Sequence, residues 1–180
     1  MSEPKRLDIG YVQVYTGTSK GKTTAALGLA FRAMGHGMKT YIGQFMKGLH
    51  YGELDAAEMT GGLITIEQYG IDAFIHVEFP PDPAHVDLAR KGFQKVTDAL
   101  LSGRYDIVVL DEINTAIYFG LIETGQVLEL ISKRPKTVEM ILTGRYAPRE
   151  IIDRADLVTE MTQIKHYFDA GVMARDGIER

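Results

Sequence analysis

What most restricts the fold of this chain is the junction at residues 10–34. An alternating run rich in β-formers (10–16, Gly-Tyr-Val-Gln-Val-Tyr-Thr) enters a glycine-bearing turn and leaves it as a helical pattern from Lys22 to about Met34. The turn reads Gly17, Thr18, Ser19, Lys20, Gly21, Lys22, Thr23, Thr24. A strand feeding a helix through such a turn aims successive backbone N–H groups, and the positive end of the helix, at one spot, an arrangement that binds phosphate. Lys22 is placed to reach the phosphates and the Thr23 hydroxyl to ligate Mg²⁺. The usual loop has about four residues between its glycines. Here Gly17 and Gly21 are separated by three, and Thr16 stands at the expected glycine position. The plainer reading, a glycine-rich turn that only caps a helix, leaves the strand on its other side unexplained.

The rest of the chain keeps alternating. The first helix pattern stops at Gly35-His36-Gly37, and a strand follows at 39–45. A short helix is expected at 53–59, a turn at Gly61-Gly62 and a strand at 63–69. Pro80, Pro81 and Pro83 make 70–83 irregular. Apolar residues recur at helical spacing over 83–102, ahead of Ile107, Val108, Val109 and Leu110, a run that reads as a strand buried on both faces. A helix at 125–133, a strand at 137–142, a helix at 148–154 and a strand at 157–164 complete the pattern. Strands alternating with helices imply a mostly parallel sheet covered on both sides. With the phosphate loop, this predicts an α/β, three-layer P-loop NTPase fold, with residues 1–180 as a single nucleotide-binding domain. No repeat or linker divides the chain.

Composition narrows the partners. With 20 basic and 24 acidic residues the formal charge is -4, so nucleic acid is not expected as a main partner. The absence of cysteine excludes disulfides, zinc-thiolate sites and thiol nucleophiles. Residues 1–8 are polar and charged, and no apolar run approaches the ~18 residues of a membrane span. No membrane association is expected, and the cytoplasm is the expected location.

Beyond the loop, the buried run at 107–110 ends in Asp111 and Glu112. In a parallel α/β sheet this puts both acids at the carboxyl edge, where P-loop proteins hold Mg²⁺ against a triphosphate. The bland alternative is an acidic turn after a core strand. Arg145 follows another predicted strand and reads either as a phosphate contact or as a solvated loop arginine, and Lys47 has the same two readings. His166, between Lys165 and Tyr167, is titratable, although a lone histidine is more often structural. Phe74, His76 and Phe79 could meet a flat ligand or pack under a loop, whereas Glu53, Asp55 and Glu58 read as a solvated helix face.

At these residues the chain resembles the P-loop type of ATP:corrinoid adenosyltransferase. The resemblance runs from about Gly10 to the C-terminus. It comprises the shortened loop, Gln44-Phe45-Met46-Lys47-Gly48, Val108-Val109-Leu110-Asp111-Glu112, Leu142-Thr143-Gly144-Arg145 and Lys165-His166-Tyr167-Phe168-Asp169-Ala170-Gly171. It implies that the cobalt(I) of a reduced corrinoid, a cob(I)alamin or cobyrinate, attacks the ribose C5′ of ATP and expels triphosphate. Mg²⁺ is the implied cofactor, with Mn²⁺ as a substitute, and ATP is implied to lie reversed in its loop. The implied phosphate contacts are Thr18, Ser19, Lys20, Gly21, Lys22, Thr23 and Thr24, beside Gly17 and Arg145. Thr23 and Glu112 are the implied metal contacts, with Asp111 as the conventional P-loop alternative, and Lys22, Lys20 and Glu112 are the catalytic candidates. A flavoprotein reductase as electron donor and a homodimer are compatible with the same reading.

Two departures bear on the corrinoid. Better-known members place an aromatic pair including Trp at its lower face; this chain has no Trp, and Phe74 is the residue at that place. Those members also carry a longer N-terminal segment over the active site, whereas about nine residues precede the first strand here, so a lid of that kind is not expected. The loop by itself leaves two other readings open: a P-loop kinase of a nucleoside or small metabolite, and a non-catalytic ATP-dependent regulatory protein.

Overall fold

The computed structural model describes residues 7–71 and 81–180. Its strands are β1 (Val12–Thr16), β2 (Thr40–Phe45), β3 (Ile64–Tyr69), β4 (Ile107–Asp111), β5 (Glu139–Thr143) and β6 (Leu157–Glu160). Between them run the helices α1 (Lys22–Met34), α2 (Gly52–Glu58), α3 (Pro83–Leu101), α4 (Ile113–Tyr118), α5 (Thr124–Lys133) and α6 (Arg149–Arg154). A short 3₁₀ turn, Tyr167–Ala170, follows β6.

All six strands pair in parallel, in the order β3-β2-β4-β5-β1-β6. The order has a consequence for the site. Strand β1 and its successor β2 are separated by β4 and β5, so α1 must pass over those two strands to connect them. The carboxyl ends of β1 and β4 therefore flank the crossing, at the kind of switch point where open α/β sheets bind ligands.

Alternation along the strands sorts the core into two layers. Val108 and Leu110 of β4, with Val12, Val14, Met140 and Leu142, face the side covered by α3, α4, α5 and α6. Ile107 and Val109, with Ile42 and Ile141, face the other side and meet Ala26, Ala30 and Ala33 of α1. Alanines at helical spacing let α1 lie close to the sheet.

The last strand and one helix depart from the expected pattern. The strand expected at 157–164 ends at Glu160, and all four residues of β6 are exposed because it is an edge strand. Helix α4 had no place in the sequence pattern, because six residues are too few to display helical periodicity.

Helix α3 crosses β2 and β3 at small residues. A methyl group built on Gly92 would lie 2.3 Å from Cγ of Tyr69. That ring is fixed by its hydroxyl, which contacts the Tyr41 hydroxyl at 2.5 Å and donates to Glu67 Oε2 at 2.5 Å. Burial pushes both tyrosine hydroxyls to a higher pKa, and the Glu67 carboxylate adds to the shift. Gly92→Ala gains about 1 kcal/mol of helix propensity but overpacks the crossing at a cost of about 1–3 kcal/mol. The net effect expected is a loss of stability. Gly28→Ala, on the exposed face of α1 with nothing within 4 Å of the added methyl, should instead gain roughly 0.5–1 kcal/mol. Urea midpoints of the two variants, at unchanged m-value, check the opposite signs.

Candidate functional site

The loop takes its form from two glycines. Gly17 has φ 101° and Gly21 φ 115°, and a Cβ on Gly17 would stand 2.4 Å from the backbone oxygen of Met161. Positive φ and close approach together exclude a side chain at Gly17. Thr16 is tolerated at the expected glycine position because β1 extends through it: Thr16 pairs with Glu160, and its carbonyl accepts from Met161 N at 2.9 Å. The turn is therefore one residue shorter, and Ser19 N donates to Met161 O to hold it against the segment after β6.

Lys22 is buried and curls back under the loop, donating to the carbonyls of Gly17 (2.9 Å) and Ser19 (2.6 Å). Burial lowers its pKa, and the Glu112 carboxylate pulls in the opposite direction. A desolvated ammonium under converging amides is suited to a polyanion.

Asp111, 0 % exposed, ends β4 and is saturated with donors. Its Oδ1 accepts from Thr23 Oγ1 (2.8 Å) and Thr143 Oγ1 (2.6 Å); its Oδ2 accepts from Lys47 Nζ (2.9 Å) and Gln44 Nε2 (3.3 Å). Burial works to lower the pKa of Lys47, but the carboxylates of Asp111, Glu53 and Glu112 together outweigh it, so the ammonium is held charged, with its pKa raised. Gln44 and Lys47 also reach Glu53 of α2, at 3.0 and 3.6 Å. The next residue, Glu112, turns the chain with φ 61°. Its N–H donates to Thr143 Oγ1 (2.9 Å), and its carboxylate accepts from Thr115 Oγ1 (2.5 Å). Adjacent acids thus part company: Asp111 points into the sheet, and Glu112 lines the cleft.

That cleft, of about 490 Å³, lies against Ser19, Lys20, Gly21, Lys22, Thr23 and Thr24. Lys47, Tyr51, Glu53, Glu112, Arg145 and His166 close it on other sides, and Gly177, Ile178, Glu179 and Arg180 form a further wall.

The family model for ATP:corrinoid adenosyltransferase BtuR/CobO/CobP matches residues 8–180. The chain belongs to the ATP:corrinoid adenosyltransferase family. A corrinoid adenosyltransferase of Sinorhizobium sp is 36 % identical over 172 residues, covering 94 % of this chain and 80 % of that protein. Its counterpart in Salmonella typhimurium is 36 % identical over 171 residues, covering 94 % and 85 %. Among solved structures, a KaiC-like protein of Pyrococcus horikoshii has TM-score 0.57 at 17 % identity, covering 87 % of this chain and 75 % of that one. The RadB recombinase has TM-score 0.56 at 14 % identity, covering 89 % and 78 %. These likenesses show the P-loop α/β fold alone. Family membership makes the reaction ATP-dependent adenosyl transfer to a corrinoid, and neither the kinase nor the regulatory reading gains support.

For an adenosyltransferase of this family, most of the residues singled out from sequence come together. Lys20, Lys22, Thr23, Glu112 and Arg145 share the cleft; Gly17 lies buried beneath it, Thr18 is exposed beside it, and Asp111 sits behind it. Phe74, with His76 and Phe79, lies outside the described residues. Glu53 departs from expectation: it is a cleft wall paired with Gln44 and Lys47, because β2 and its following loop lie beneath α2. Sequence reasoning placed Thr143 and Gln44 in motifs but gave them no role; their polar character at the end of otherwise apolar strands was the available signal. It missed the wall at 177–180 altogether.

The two acids should separate in a denaturation experiment without nucleotide. Asp111→Ala leaves the half-buried Lys47 charge without its main partner and should cost about 3–5 kcal/mol. Glu112→Gln keeps an acceptor for Thr115 and should cost less than about 1 kcal/mol.

Proposed function

We propose that residues 17–24 cradle the triphosphate of ATP, with Lys22, Lys20 and Glu112 as the catalytic groups of adenosyl transfer. The observation that carries this reading is the single cleft onto which the buried Lys22 and the turned-out Glu112 both open. In the reaction, cobalt(I) of the corrinoid attacks C5′ of ATP, and the C5′–O bond breaks with its electron pair leaving on triphosphate. No protein nucleophile is required. The backbone amides of Gly17, Thr18, Gly21 and Thr24, the Ser19 hydroxyl and the cations Lys20, Lys22 and Arg145 stabilise the charge that grows on the leaving group. ATP lies reversed, so that the ribose faces the corrinoid.

The oxygen donors at the cleft fit Mg²⁺, for which Mn²⁺ can substitute. Thr23 and Glu112 would hold it, and Asp111 acts through Thr23 by accepting its hydroxyl hydrogen. Among the described residues no cluster of three or more His, Asp or Glu could hold a metal, which suits a cation that takes its other ligands from phosphate and water. When bound, the cation supplies further neutralisation of the departing triphosphate.

Phe74 is proposed at the corrinoid's lower face. A flavoprotein reductase would supply the electron, and a homodimer, the cytoplasm and a single domain over 1–180 complete the reading. No helix among the described residues is long and apolar enough to cross a membrane.

Anaerobic incubation with ATP, Mg²⁺ and chemically reduced cobalamin should yield a cobalt–carbon bond by absorbance and one triphosphate per turnover. Lys22→Ala should lower kcat/KM by at least about 100-fold. ADP as product, or near-normal turnover of that variant, would overturn the assignment. In Mg²⁺ titrations Glu112→Gln should raise the half-saturating concentration more than Asp111→Asn does; the reverse order would make Asp111 the direct ligand.

A further inference from the structure

The two loop lysines are satisfied in different ways. Lys22 bonds the loop's own carbonyls, whereas Lys20 bonds only residues near the other end of the sequence. Its ammonium donates to Glu179 Oε1 (2.8 Å), Tyr167 OH (3.1 Å) and the carbonyl of Ile178 (3.3 Å). An ammonium has three N–H donors, and these three acceptors use them all.

Glu179 is itself the hub of a small cluster. Arg175 donates to it from its backbone N–H (2.9 Å) and from its guanidinium (3.3 Å), and the Tyr167 hydroxyl donates to it as well. The Arg175 guanidinium also lies over the Tyr167 ring, 4.9 Å from its centroid. Hydrogen bonds from Arg175, Lys20 and Tyr167 hold the Glu179 carboxyl well below the ordinary carboxylate range. The result is a fixed negative charge on the wall of the cleft, bonded to a cation that belongs to the phosphate loop.

A phosphate oxygen cannot bond Lys20 while all three of its donors are taken. We propose that Glu179 is the internal anion of the nucleotide site, holding Lys20 until the triphosphate takes its place and thereby releasing residues 167–180 from the loop. The inference rests on the reading of residues 17–24 as the triphosphate cradle and adds to it a residue that selects the ligand. A ligand that reaches Lys22 but places no charge at Lys20 leaves Glu179 where it is. A polyphosphate long enough to cover both lysines displaces it. The exchange also joins events at the two ends of the sequence: the wall at 177–180 loosens when the cradle fills, and it returns when triphosphate departs.

The test uses inorganic triphosphate as the ligand, with calorimetry on the full chain and on Glu179→Gln, Lys20→Ala, Lys22→Ala and the Lys20→Ala/Glu179→Gln double variant. Removing the competing charge should tighten triphosphate binding about fivefold in Glu179→Gln, the scale of an exposed ion pair. The double variant should bind no more tightly than Lys20→Ala, because Glu179 acts through that lysine. Hydrogen exchange should show the amides of 167–180 becoming less protected on saturation with triphosphate while those of 17–24 become more protected. The proposal is overturned if Glu179→Gln binds triphosphate with unchanged or weaker affinity, if its gain persists without Lys20, or if 167–180 becomes more protected, which would mark a closing wall instead of an exchange. In each of those cases binding that still depends on Lys22 leaves the cradle reading intact. Binding indifferent to Lys22→Ala would remove the cradle and the inference together.

Discussion

The site depends on one buried carboxylate. Asp111 accepts four hydrogen bonds, two on each oxygen, from the first turn of α1, the end of β5, the end of β2 and the loop after β2. A carboxylate taken out of water is stable only when its lone pairs are filled, so each donor is constrained by the requirements of the other three. Thr23 is thereby fixed at the helix start, Lys47 is kept charged under the cleft, and Thr143 is oriented so that its hydroxyl oxygen can also accept the N–H of Glu112. Gln44 carries the network outward, donating to Glu53 and accepting from Gln68 of β3. Hydrogen-bonded side chains thus link β3, β2, β4 and β5 through their carboxyl ends.

Backbone strain collects at the same edge. Among the described residues the non-glycine positions with positive φ are Met46, Glu112 and Tyr146, which follow β2, β4 and β5. Each left-handed residue costs on the order of 1 kcal/mol. For Glu112 the compensation is visible in the bonds to Thr143 and Thr115, and Thr115 also accepts from Arg145 N at 3.0 Å. The hydroxyl of one α4 residue therefore ties together the two charged groups, Glu112 and Arg145, that face the phosphate loop across the cleft. Short as it is, α4 has a function in positioning.

The two lysines of the loop show how the same residue type acquires different character from its surroundings. Lys22 is buried and its charge is weakened by desolvation, which raises its attraction for any anion that restores its solvation. Lys20 is exposed, and its charge is reinforced by the Glu179 carboxylate and the Tyr167 hydroxyl. The loop's cations need partners, and this chain provides them from its own carbonyls in one case and from a distant acidic residue in the other.

Features that are continuous along the chain were legible before any tertiary structure: β1, the loop and α1; the doubly buried β4 ending in two acids; and the long α3. Each is written in local periodicity or in the identity of a few adjacent residues, because hydrogen bonding within a helix and alternation along a strand are short-range effects. The proposed phosphate cradle belongs to this group in its backbone, since a strand, a glycine turn and a helix N-terminus suffice to build it. Other features had no local signature. Asp111 and Glu112 are neighbours of similar chemistry, and only the left-handed turn held by Thr143 sends one into the sheet and the other into the cleft. Glu53 has the spacing of a solvated helix face and becomes a wall because Gln44 at the end of β2 and Lys47 in the following loop reach it. Glu179 meets Lys20 across 159 positions of sequence. The chain by itself determined most of the elements and the strand–turn–helix proposed to hold phosphate; the strand order β3-β2-β4-β5-β1-β6 decided which side chains meet there, because a buried or bridged charge takes its role from partners that only long-range packing supplies.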